Sequence, residues 1–319
     1  MRRPGTGRVT AGFADAGPCW VCGGRDSLPF HHARFDLSAY VAQDPELAAY
    51  TGATVALRRC RACGFAQPER LPSLPRFFER MYDQHWSAEW VAAEFEAGCK
   101  DRIFHRVLTL LESRLPAGRR RLLDVGAHAG RFLRLASEAG WSVEGIEVNP
   151  RTAAFAASRT GARVHCGAAA ELELPDVACD AVTLIDVLEH VPGPLSLLTR
   201  VRRLLRPDGW VAVKVPSGPA QLVKERLRAA TSRRYSPRLA DNLVHVNHFS
   251  PRSLRTALER AGFDSVHLEV ALPELPGGHR WSSAVRLAAY WTARTLPLGS
   301  PLAFNLQACA RRPREEGAL

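Results

Sequence analysis

The sequence predicts an α/β protein built on a doubly wound, mostly parallel sheet. The stretch Leu122–Leu133, LLDVGAHAGRFL, is an apolar run that meets an acid, then glycines, then an apolar pattern with helical spacing. This order indicates a strand, a tight turn and a helix. Further apolar runs recur at Trp141–Pro150, Asp180–Pro194 and Arg200–Ser217. Strands that alternate with helices favour a parallel sheet, in which ligands bind at the carboxyl ends of the strands.

The spacing of the glycines in the turn indicates which kind of ligand it could bind. Gly126 and Gly130 can take backbone conformations that other residues avoid, and they let a ligand approach the main chain. A dinucleotide fingerprint needs the pattern G-x-G-x-x-G, but His128 and Arg131 occupy its other glycine positions. The arrangement Asp124-x-Gly126-x-x-x-Gly130 resembles the first motif of the class I S-adenosylmethionine-dependent methyltransferases. From this stretch alone, an ordinary glycine-rich turn is the alternative.

The next two segments fit the same resemblance. Glu147 follows the first glycine of the turn by twenty-one residues, the distance at which an acid at the tip of the second strand can accept both ribose hydroxyls. Ala162–Gly167 is a short strand candidate. In the family an acid that binds the adenine amino group often follows this strand, whereas this chain has Ala168 and Ala169 there. We therefore expect backbone groups at these alanines, or Glu171, to contact adenine.

The fourth and fifth runs carry the most specific resemblance. Asp180–Pro194 is similar to the fourth motif of methyltransferases related to the ubiquinone-biosynthesis O-methyltransferase, and Arg200–Ser217 resembles their helix, Pro-Asp-Gly turn and fifth strand. The resemblance implies a Rossmann-like seven-stranded sheet, S-adenosylmethionine as cofactor and methyl transfer. Ser265–Leu272 and Leu302–Arg311 would then pair antiparallel at the sheet edge. Asp186 is expected at the cofactor, where it could also orient a substrate or a base.

Two Cys-x-x-Cys-Gly knuckles precede this core. Cys19 and Cys22 form the first, and Cys60 and Cys63 the second. Each knuckle can point two thiolates at one tetrahedral metal, so the four cysteines predict a structural zinc with no open coordination position. A pair of disulfides, or four unrelated buried cysteines, is the alternative. The long interval between the knuckles must fold as an insert or a longer hairpin.

These features divide the chain into five regions. We expect a zinc-ribbon-like module at 1–70, a helical linker and cap at 71–118, the cofactor-binding core at 119–217, a substrate-cap insertion at 218–250 and the C-terminal part of the core at 251–319. Two helices are expected within Arg76–Leu115. In the family such helices cover the cofactor, so Tyr82 or Trp86 could contact its methionine carboxylate, although packing in the core would equally explain both side chains.

The insertion is basic and should lie at the carboxyl edge of the sheet, where a methyltransferase chooses its acceptor. This favours an anionic acceptor, such as a phosphorylated sugar, and a solvated helix is the alternative. Similar zinc modules precede methyltransferase cores that act on sugars or natural products. The basic residues of the insertion are Lys224, Arg226, Arg228, Arg233, Arg234 and Arg238.

Composition sets broader limits. The chain has 319 residues and a formal net charge of +11, but only three of its basic residues are lysines and its arginines are spread along the sequence. A nucleic-acid partner is therefore disfavoured, because the arginine clusters lack interleaved aromatic residues. No apolar stretch approaches the roughly 20 residues that span a bilayer, and the N-terminus lacks the apolar region of a signal peptide. These patterns predict a cytoplasmic protein.

Histidines are the candidate bases for methyl transfer to a hydroxyl, because their side chains titrate in a useful range. His245 and His248 lie just before a helix that should begin at Ser250 and Pro251. His190 is a third candidate, although it belongs to the family signature and could only shape its loop. The main hypothesis is methyl transfer to a hydroxyl of a sugar, glycan or secondary metabolite. A nucleic-acid methyltransferase and a non-catalytic binding protein remain alternatives, and the sequence leaves the acceptor, the methylated atom and the oligomeric state open.

Overall fold

The structure is a computed structural model that describes residues 12–83, 88–118, 120–169, 171, 179–232, 235, 238–275 and 280–314. The strands in these ranges are β1 (Phe13–Asp15), β2 (Ser27–Arg34), β3 (Thr54–Cys60), β4 (Ala66–Pro68), β5 (Arg70–Pro72), β6 (Arg121–Val125), β7 (Ser142–Glu147), β8 (Arg163–Cys166), β9 (Cys179–Ile185), β10 (Leu205–Pro216), β11 (Asp264–Val270) and β12 (Asn305–Arg311). The helices are α1 (Pro45–Ala48), α2 (Phe77–Asp83), α3 (Ala88–Ala97), α4 (Asp101–Glu112), α5 (Arg131–Glu138), α6 (Pro150–Thr160), α7 (Pro194–Leu204), α8 (Gly218–Thr231), α9 (Pro251–Arg260) and α10 (Arg280–Thr295), with 3₁₀ turns at Ser38–Tyr40 and Asp241–Leu243.

The centre of the fold is a seven-stranded sheet in the order β11-β12-β10-β9-β6-β7-β8. β6 pairs parallel with β7 and β9, and β10 pairs parallel with β9. β12 is antiparallel to both of its neighbours, β10 and β11. The predicted doubly wound sheet is confirmed, as is the antiparallel pairing of its last two strands.

Alternating side chains along the central strands bury both faces of this sheet. In β6, Leu122 belongs to the apolar cluster formed by α4 and α5, and Leu123 belongs to the cluster formed by α7 and α9. In β10, Ala212 belongs to the cluster formed by α4 and α5, and Val211 belongs to the cluster formed by α7 and α9. Successive strand residues point to opposite faces, so a continuous apolar run suits a strand covered by helices on both sides.

The N-terminal module packs into this core. β2 and β3 form the predicted longer hairpin between the cysteine knuckles, and β4 adds a third strand. Phe65 lies 5.0 Å from the ring of Phe249 and shares a buried cluster with Leu254 of α9. The predicted boundary at residue 70 falls within β5, which pairs with β1. The module is therefore continuous with the rest of the fold, and we find no break at residue 70.

The cap contains three helices, α2, α3 and α4, instead of the predicted two. The additional helix is α3, and Gly98, whose φ of +61° is unsuited to a continuing helix, separates it from α4. Trp86 lies outside the described residues. Among the residues that are described, no helix is long and apolar enough to cross a membrane. α9 begins as predicted, with the Ser250 side chain capping the amide of Ser253 and Pro251 in the first turn.

Candidate active site

A cavity of about 1460 Å³ opens at the carboxyl ends of β6, β7, β9 and β10. Small-molecule sites usually occupy roughly 300–1,000 Å³. The cavity can therefore hold two ligands at once. Residues of the glycine turn line one part of its wall, and residues of the N-terminal module and α2 line another part. We call these the donor end and the acceptor end.

Gly126 forms part of the wall at the donor end. Its φ is +78°, and a Cβ there would lie 2.5 Å from Cγ2 of Val187. The amides of Gly126 and Ala127 both donate to the carbonyl of Ile146, at 2.8 and 2.9 Å. His128, also at positive φ (+48°), completes the turn. Only glycine fits at Gly126, and its missing side chain exposes the backbone to the cavity.

Gly130 has a different role from the predicted one. It does not line the cavity, so the expectation that a ligand rests on it is wrong. It is the N-terminal cap of α5 at φ +84°, and a Cβ there would lie 3.0 Å from both Cβ of Ala156 and Cγ2 of Thr160. This glycine therefore allows α5 to pack closely against α6.

Two buried carboxyl groups flank the glycine turn. The carboxylate of Glu147 accepts the amide of Asn149 at 3.0 Å and that of His128 at 2.8 Å, one on each oxygen. Each oxygen keeps a second lone pair, which leaves acceptor capacity for a hydroxyl. Burial raises the pKa of Glu147, and these amides oppose the rise. Burial also raises the pKa of Asp124 to about 7, against a 2.6 Å hydrogen bond from the Thr183 hydroxyl.

The alanines after β8 lie where the sequence placed them. Ala168 and Ala169 both line the donor end, and the amide of Gly167 donates to the carbonyl of Glu147 at 3.0 Å. Glu171 is exposed and does not line the cavity. Two alternative contacts with adenine were expected. The geometry is compatible with contacts from the backbone at the two alanines, but not with a contact from Glu171.

Asp186 sits in a cluster of charges between the two ends. It follows β9 at φ +58° and lies on the cavity wall. Lys214 of β10 donates to its Oδ1 at 2.5 Å, and Lys100 donates to its Oδ2 at 3.2 Å. Burial alone would raise the pKa of Asp186, but the two ammonium charges hold it well below its usual range. The sequence analysis missed both lysines, although they are two of only three lysines in an arginine-rich chain.

His190 and His245 meet at the cavity wall, with ring centroids 4.9 Å apart. Nδ1 of His190 lies 2.6 Å from the carbonyl of Val244. A carbonyl can only accept, so this contact places a proton on Nδ1 and leaves the lone pair on Nε2. Burial lowers the pKa of His190, and it lowers that of His245 to about 3. Both rings are therefore neutral at pH 7.

Tyr82 joins this group. Its hydroxyl donates to the carbonyl of Val244 at 2.8 Å and lies 2.7 Å from Nδ1 of His190. The sequence left two roles open for Tyr82, contact with the cofactor carboxylate or packing in the core, and in the structure its side chain lines the cavity and contacts His190. Glu189 was not predicted as a functional side chain. It is buried, and its Oε2 has no hydrogen-bond partner among the described residues.

His248 does not reach the cavity, which corrects its placement at the pocket mouth. Its backbone forms an antiparallel bridge with Ala66 of β4, and its ring packs 5.3 Å from that of Phe30. The side chain is 3% exposed, and burial lowers its pKa to about 3. A base must reach the proton that it removes, so this position excludes His248 from proton transfer.

The four cysteines form a compact cluster away from the cavity. Sγ of Cys19 lies 3.6 Å from that of Cys63, and Sγ of Cys22 lies 3.5 Å from that of Cys60. All four sulfurs lie within 4.8 Å of one another, and none forms a disulfide. Tetrahedral zinc with Zn–S bonds of about 2.3 Å needs sulfurs about 3.8 Å apart. The cluster fits such an ion, and the disulfide alternative is not observed.

The charges around the cavity do not match the expected anionic acceptor. Lys224 of the insertion bonds to Gln221 and lies 5.6 Å from the ring centroid of Phe304, and Arg228 pairs with Glu225. Arg233 and Arg234 lie outside the described residues, and of the other basic residues predicted in the insertion none lines the cavity. Acids outnumber bases on the wall. The acids are Asp36, Glu79, Glu94, Asp124, Glu147, Asp186, Glu189 and Glu274, and the bases are Arg76, Lys100, Arg131 and Lys214.

Comparison with known proteins supports the resemblance to methyltransferases that the sequence motifs indicated. A family model described as a methyltransferase domain matches residues 95–268. Ubiquinone biosynthesis O-methyltransferases are similar: the protein of Thiobacillus denitrificans is 27% identical over 50% of this chain and 72% of its own length. The protein of Bordetella avium is 30% identical over 46% of this chain and 62% of its own length. The protein of Haemophilus ducreyi is 34% identical over 28% of this chain and 42% of its own length. The chain thus spans less than two thirds of the latter two.

Solved structures share the fold at low identity. Phosphoethanolamine N-methyltransferase 2 of Haemonchus contortus, in complex with S-adenosyl-L-methionine, has a TM-score of 0.52 at 14% identity, covering 91% of this chain and 69% of that one. A chain of the complex between the Trm112 methyltransferase activator and a methyltransferase of Haloferax volcanii has a TM-score of 0.50 at 18% identity, covering 71% and 97%. The family match spans more than half of the chain and coincides with the sheet and the cavity. The protein therefore belongs to the methyltransferase domain family and is a class I S-adenosylmethionine-dependent methyltransferase.

Proposed function

We propose that the protein transfers a methyl group from S-adenosylmethionine to a hydroxyl oxygen of a small molecule. One observation carries the choice of oxygen: a neutral, hydrogen-bonded histidine, His190, lies on the wall of the same cavity as the glycine turn. A hydroxyl must lose its proton as it attacks, and a neutral imidazole can take that proton. The names of the similar O-methyltransferases support the same reaction.

The donor end supplies the residues that would hold the cofactor. The backbone at Gly126 would lie against it, Glu147 would accept its ribose hydroxyls, and the main chain at Ala168 and Ala169 would face its adenine. The cofactor, when bound, supplies an activated methyl group. The remaining chemistry falls to the protein, which must bring the acceptor oxygen to about 3 Å from the methyl carbon and take up a proton.

His190 is the base in this proposal. Its Nδ1 is fixed by the Val244 carbonyl, so its Nε2 keeps a lone pair with a defined direction. His245 has a pKa of about 3, which makes it a weaker base, and we assign it to positioning the acceptor and His190. The Tyr82 hydroxyl holds the same carbonyl and thereby orients the ring of His190.

We also propose that the four cysteines bind one structural zinc ion. The sulfur spacing and the all-thiolate donor set support this, and the cluster is remote from the cavity. Natural-product or glycan precursors remain the proposed source of the acceptor, since both carry hydroxyl groups. The zinc proposal would be contradicted by freshly purified protein with a metal content near zero.

The test combines binding and turnover. We expect calorimetric titration to detect S-adenosylhomocysteine, the demethylated product, and we expect His190→Ala to retain that affinity while lowering turnover about 10²-fold with any hydroxylated acceptor. His245→Ala should have a smaller effect. His267→Ala is the matched control, because His267 is half-exposed on β11 and outside the cavity. Absence of binding heat would refute the function, and normal turnover in His190→Ala would refute the base.

A further inference from the structure

The N-terminal module builds much of the acceptor end of the cavity. Tyr40 lies in the segment that connects β2 and β3, Leu71 lies in β5, and Leu74 follows β5. α2 completes the wall, and it also carries Tyr82, whose hydroxyl contacts His190. The acceptor end therefore adjoins the proposed base. Three charged residues of these segments, Asp36, Arg76 and Glu79, line it as well, and Arg76 pairs with Glu79.

Most side chains of this wall are apolar or aromatic. Phe77 and Met81 are buried in a cluster with apolar residues of the module, and Phe78 packs edge-on against Phe77 at 5.3 Å. The Tyr40 hydroxyl makes a long 3.4 Å hydrogen bond to the carbonyl of Met81. The charged Asp36 accepts hydrogen bonds from Ser38. An apolar wall favours an uncharged ring or chain, because burying a charge there without a partner costs free energy.

Hydrogen bonds hold the module in register with the loop that carries His245. The amide of Asp36 donates to Oδ1 of Asn242 at 2.7 Å, and Nδ2 of Asn242 donates to the Asp36 carbonyl at 3.2 Å. Ala66 and His248 exchange two backbone hydrogen bonds, at 3.0 and 2.9 Å. The guanidinium of Arg260 donates to the Cys22 carbonyl at 2.6 Å. The cysteine cluster thus supports a wall whose position relative to His245 is fixed.

From these contacts we infer that the N-terminal cysteine module is the acceptor-selecting element of the enzyme, with Tyr40 and Phe78 as specificity-determining residues. They hold the uncharged, apolar part of the acceptor while its hydroxyl faces His190. This inference rests on the proposed function, and it replaces the anionic acceptor expected from the sequence. The module then has a role in substrate choice beyond the stability that its cysteines provide.

The experiment uses the full chain saturated with S-adenosylhomocysteine and, as probe, 2,3-dihydroxynaphthalene, an uncharged fused ring with two hydroxyls. We expect calorimetry to detect the probe and Tyr40→Ala and Phe78→Ala to weaken its binding about tenfold or more. Affinity for S-adenosylhomocysteine should stay within about twofold. Tyr40→Phe should bind the probe as the unmodified protein does, because the ring forms the contact. Trp291→Ala, an exposed aromatic outside the cavity, is the matched control.

The outcomes separate the two proposals. If S-adenosylhomocysteine itself fails to bind, the proposed function is wrong. If it binds but the probe does not, or if Tyr40→Ala and Phe78→Ala bind the probe unchanged, the selecting role of the module is wrong while the function stands. Tighter binding of glucose 1-phosphate than of the probe would also overturn the inference, since it would show an anionic sugar acceptor. Circular dichroism and the retained affinity for S-adenosylhomocysteine exclude misfolding of the variants.

Discussion

The two ends of the cavity are built in different ways. The donor end uses loops that directly follow strands of one sheet: the turn at Gly126, the tip of β7 at Glu147 and the turn at Ala168. The acceptor end gathers its wall from the N-terminal hairpin, α2 and the segment around Val244. Asp36 and Asn242, which join two of these parts, are 206 residues apart in sequence. The donor end is thus set by local sequence and the acceptor end by long-range packing.

This difference separates the two tasks of the enzyme. A common cofactor can be held by a recurring set of strand ends, because parallel strands bring their carboxyl ends to one edge. The acceptor end can be changed by altering the module or α2 without changing the sheet. Substitutions at the two ends should therefore affect different measurements.

The largest effect is expected at the glycine turn. Gly126→Ala places a Cβ 2.5 Å from Val187 in a backbone region that L-residues disfavour. We expect affinity for S-adenosylhomocysteine, measured by calorimetry, to fall about 10²-fold or more, which corresponds to about 2.7 kcal/mol. Gly140→Ala is the control, since Gly140 has a similar φ of +86° and an added Cβ there would meet no atom within 4 Å. Equal losses in both variants would mean that backbone strain alone, and not the contact with Val187, explains the effect.

A second effect distinguishes the two regions by pH. Asp124 at the donor end has a folded-state pKa of about 7, above its unfolded value, so it stabilises the fold at low pH and this contribution is lost as pH rises from about 4 to 7. His245 and His248 have folded-state pKa values of about 3, below their unfolded value, so their contribution has the opposite sign and is lost as pH falls below about 6.5.

Asp124→Asn should therefore make the free energy of unfolding rise more steeply with pH in this window, by at most about 1.4 kcal/mol per pH unit. Urea unfolding between pH 4.5 and 6.5 measures the slope. Asp264→Asn serves as the control, because pairing with Arg311 lowers the pKa of that carboxyl, so it stays ionised throughout this range and its replacement should leave the slope unchanged. An unchanged slope in Asp124→Asn would show that Asp124 titrates normally in the folded protein.

The smallest effect is expected at the junction of the module and the histidine loop. Asn242→Ala removes both side-chain hydrogen bonds to Asp36, each part of an exposed contact worth about 1 kcal/mol or less. We expect turnover to fall severalfold, through a looser His245, with no change in affinity for S-adenosylhomocysteine. Ser196→Ala, which removes an exposed local hydrogen bond on α7, is the control. A change in cofactor affinity would mean that the two ends are coupled.

The sequence predicted the strand, turn and helix around Gly126 and the position of Glu147 beside them, because the signals for these features are local. The apolar run, the turn at Gly126 and the spacing to Glu147 each depend on neighbouring residues. Gly130 was misassigned because the reason for a glycine there is helix packing against Ala156, which no local pattern reveals. His248 was placed at the cavity because the sequence cannot show the bridge to Ala66 that directs it into the module.

The acceptor end could not be predicted for the same physical reason. Tyr40 is an isolated aromatic residue in the sequence, and nothing near it indicates a cavity wall. Its role depends on the pairing of β2 with β3 and on the packing of α2 against their hairpin. The cysteine spacing predicted the cluster and left open whether the interval between the knuckles forms an insert or a longer hairpin, and it could not show which surface that segment would cover.

The place of β12 has a consequence for how the molecule is assembled. This strand enters the sheet between β10 and β11, although it is the last to be synthesised. Until it docks, β10 presents an open row of amide and carbonyl groups beside the apolar run of Val211, Val213 and Val215. The unpaired backbone groups of such an edge can form hydrogen bonds with a strand of another chain. Cleavage or truncation before Asn305 should therefore yield aggregation instead of a shorter, working enzyme.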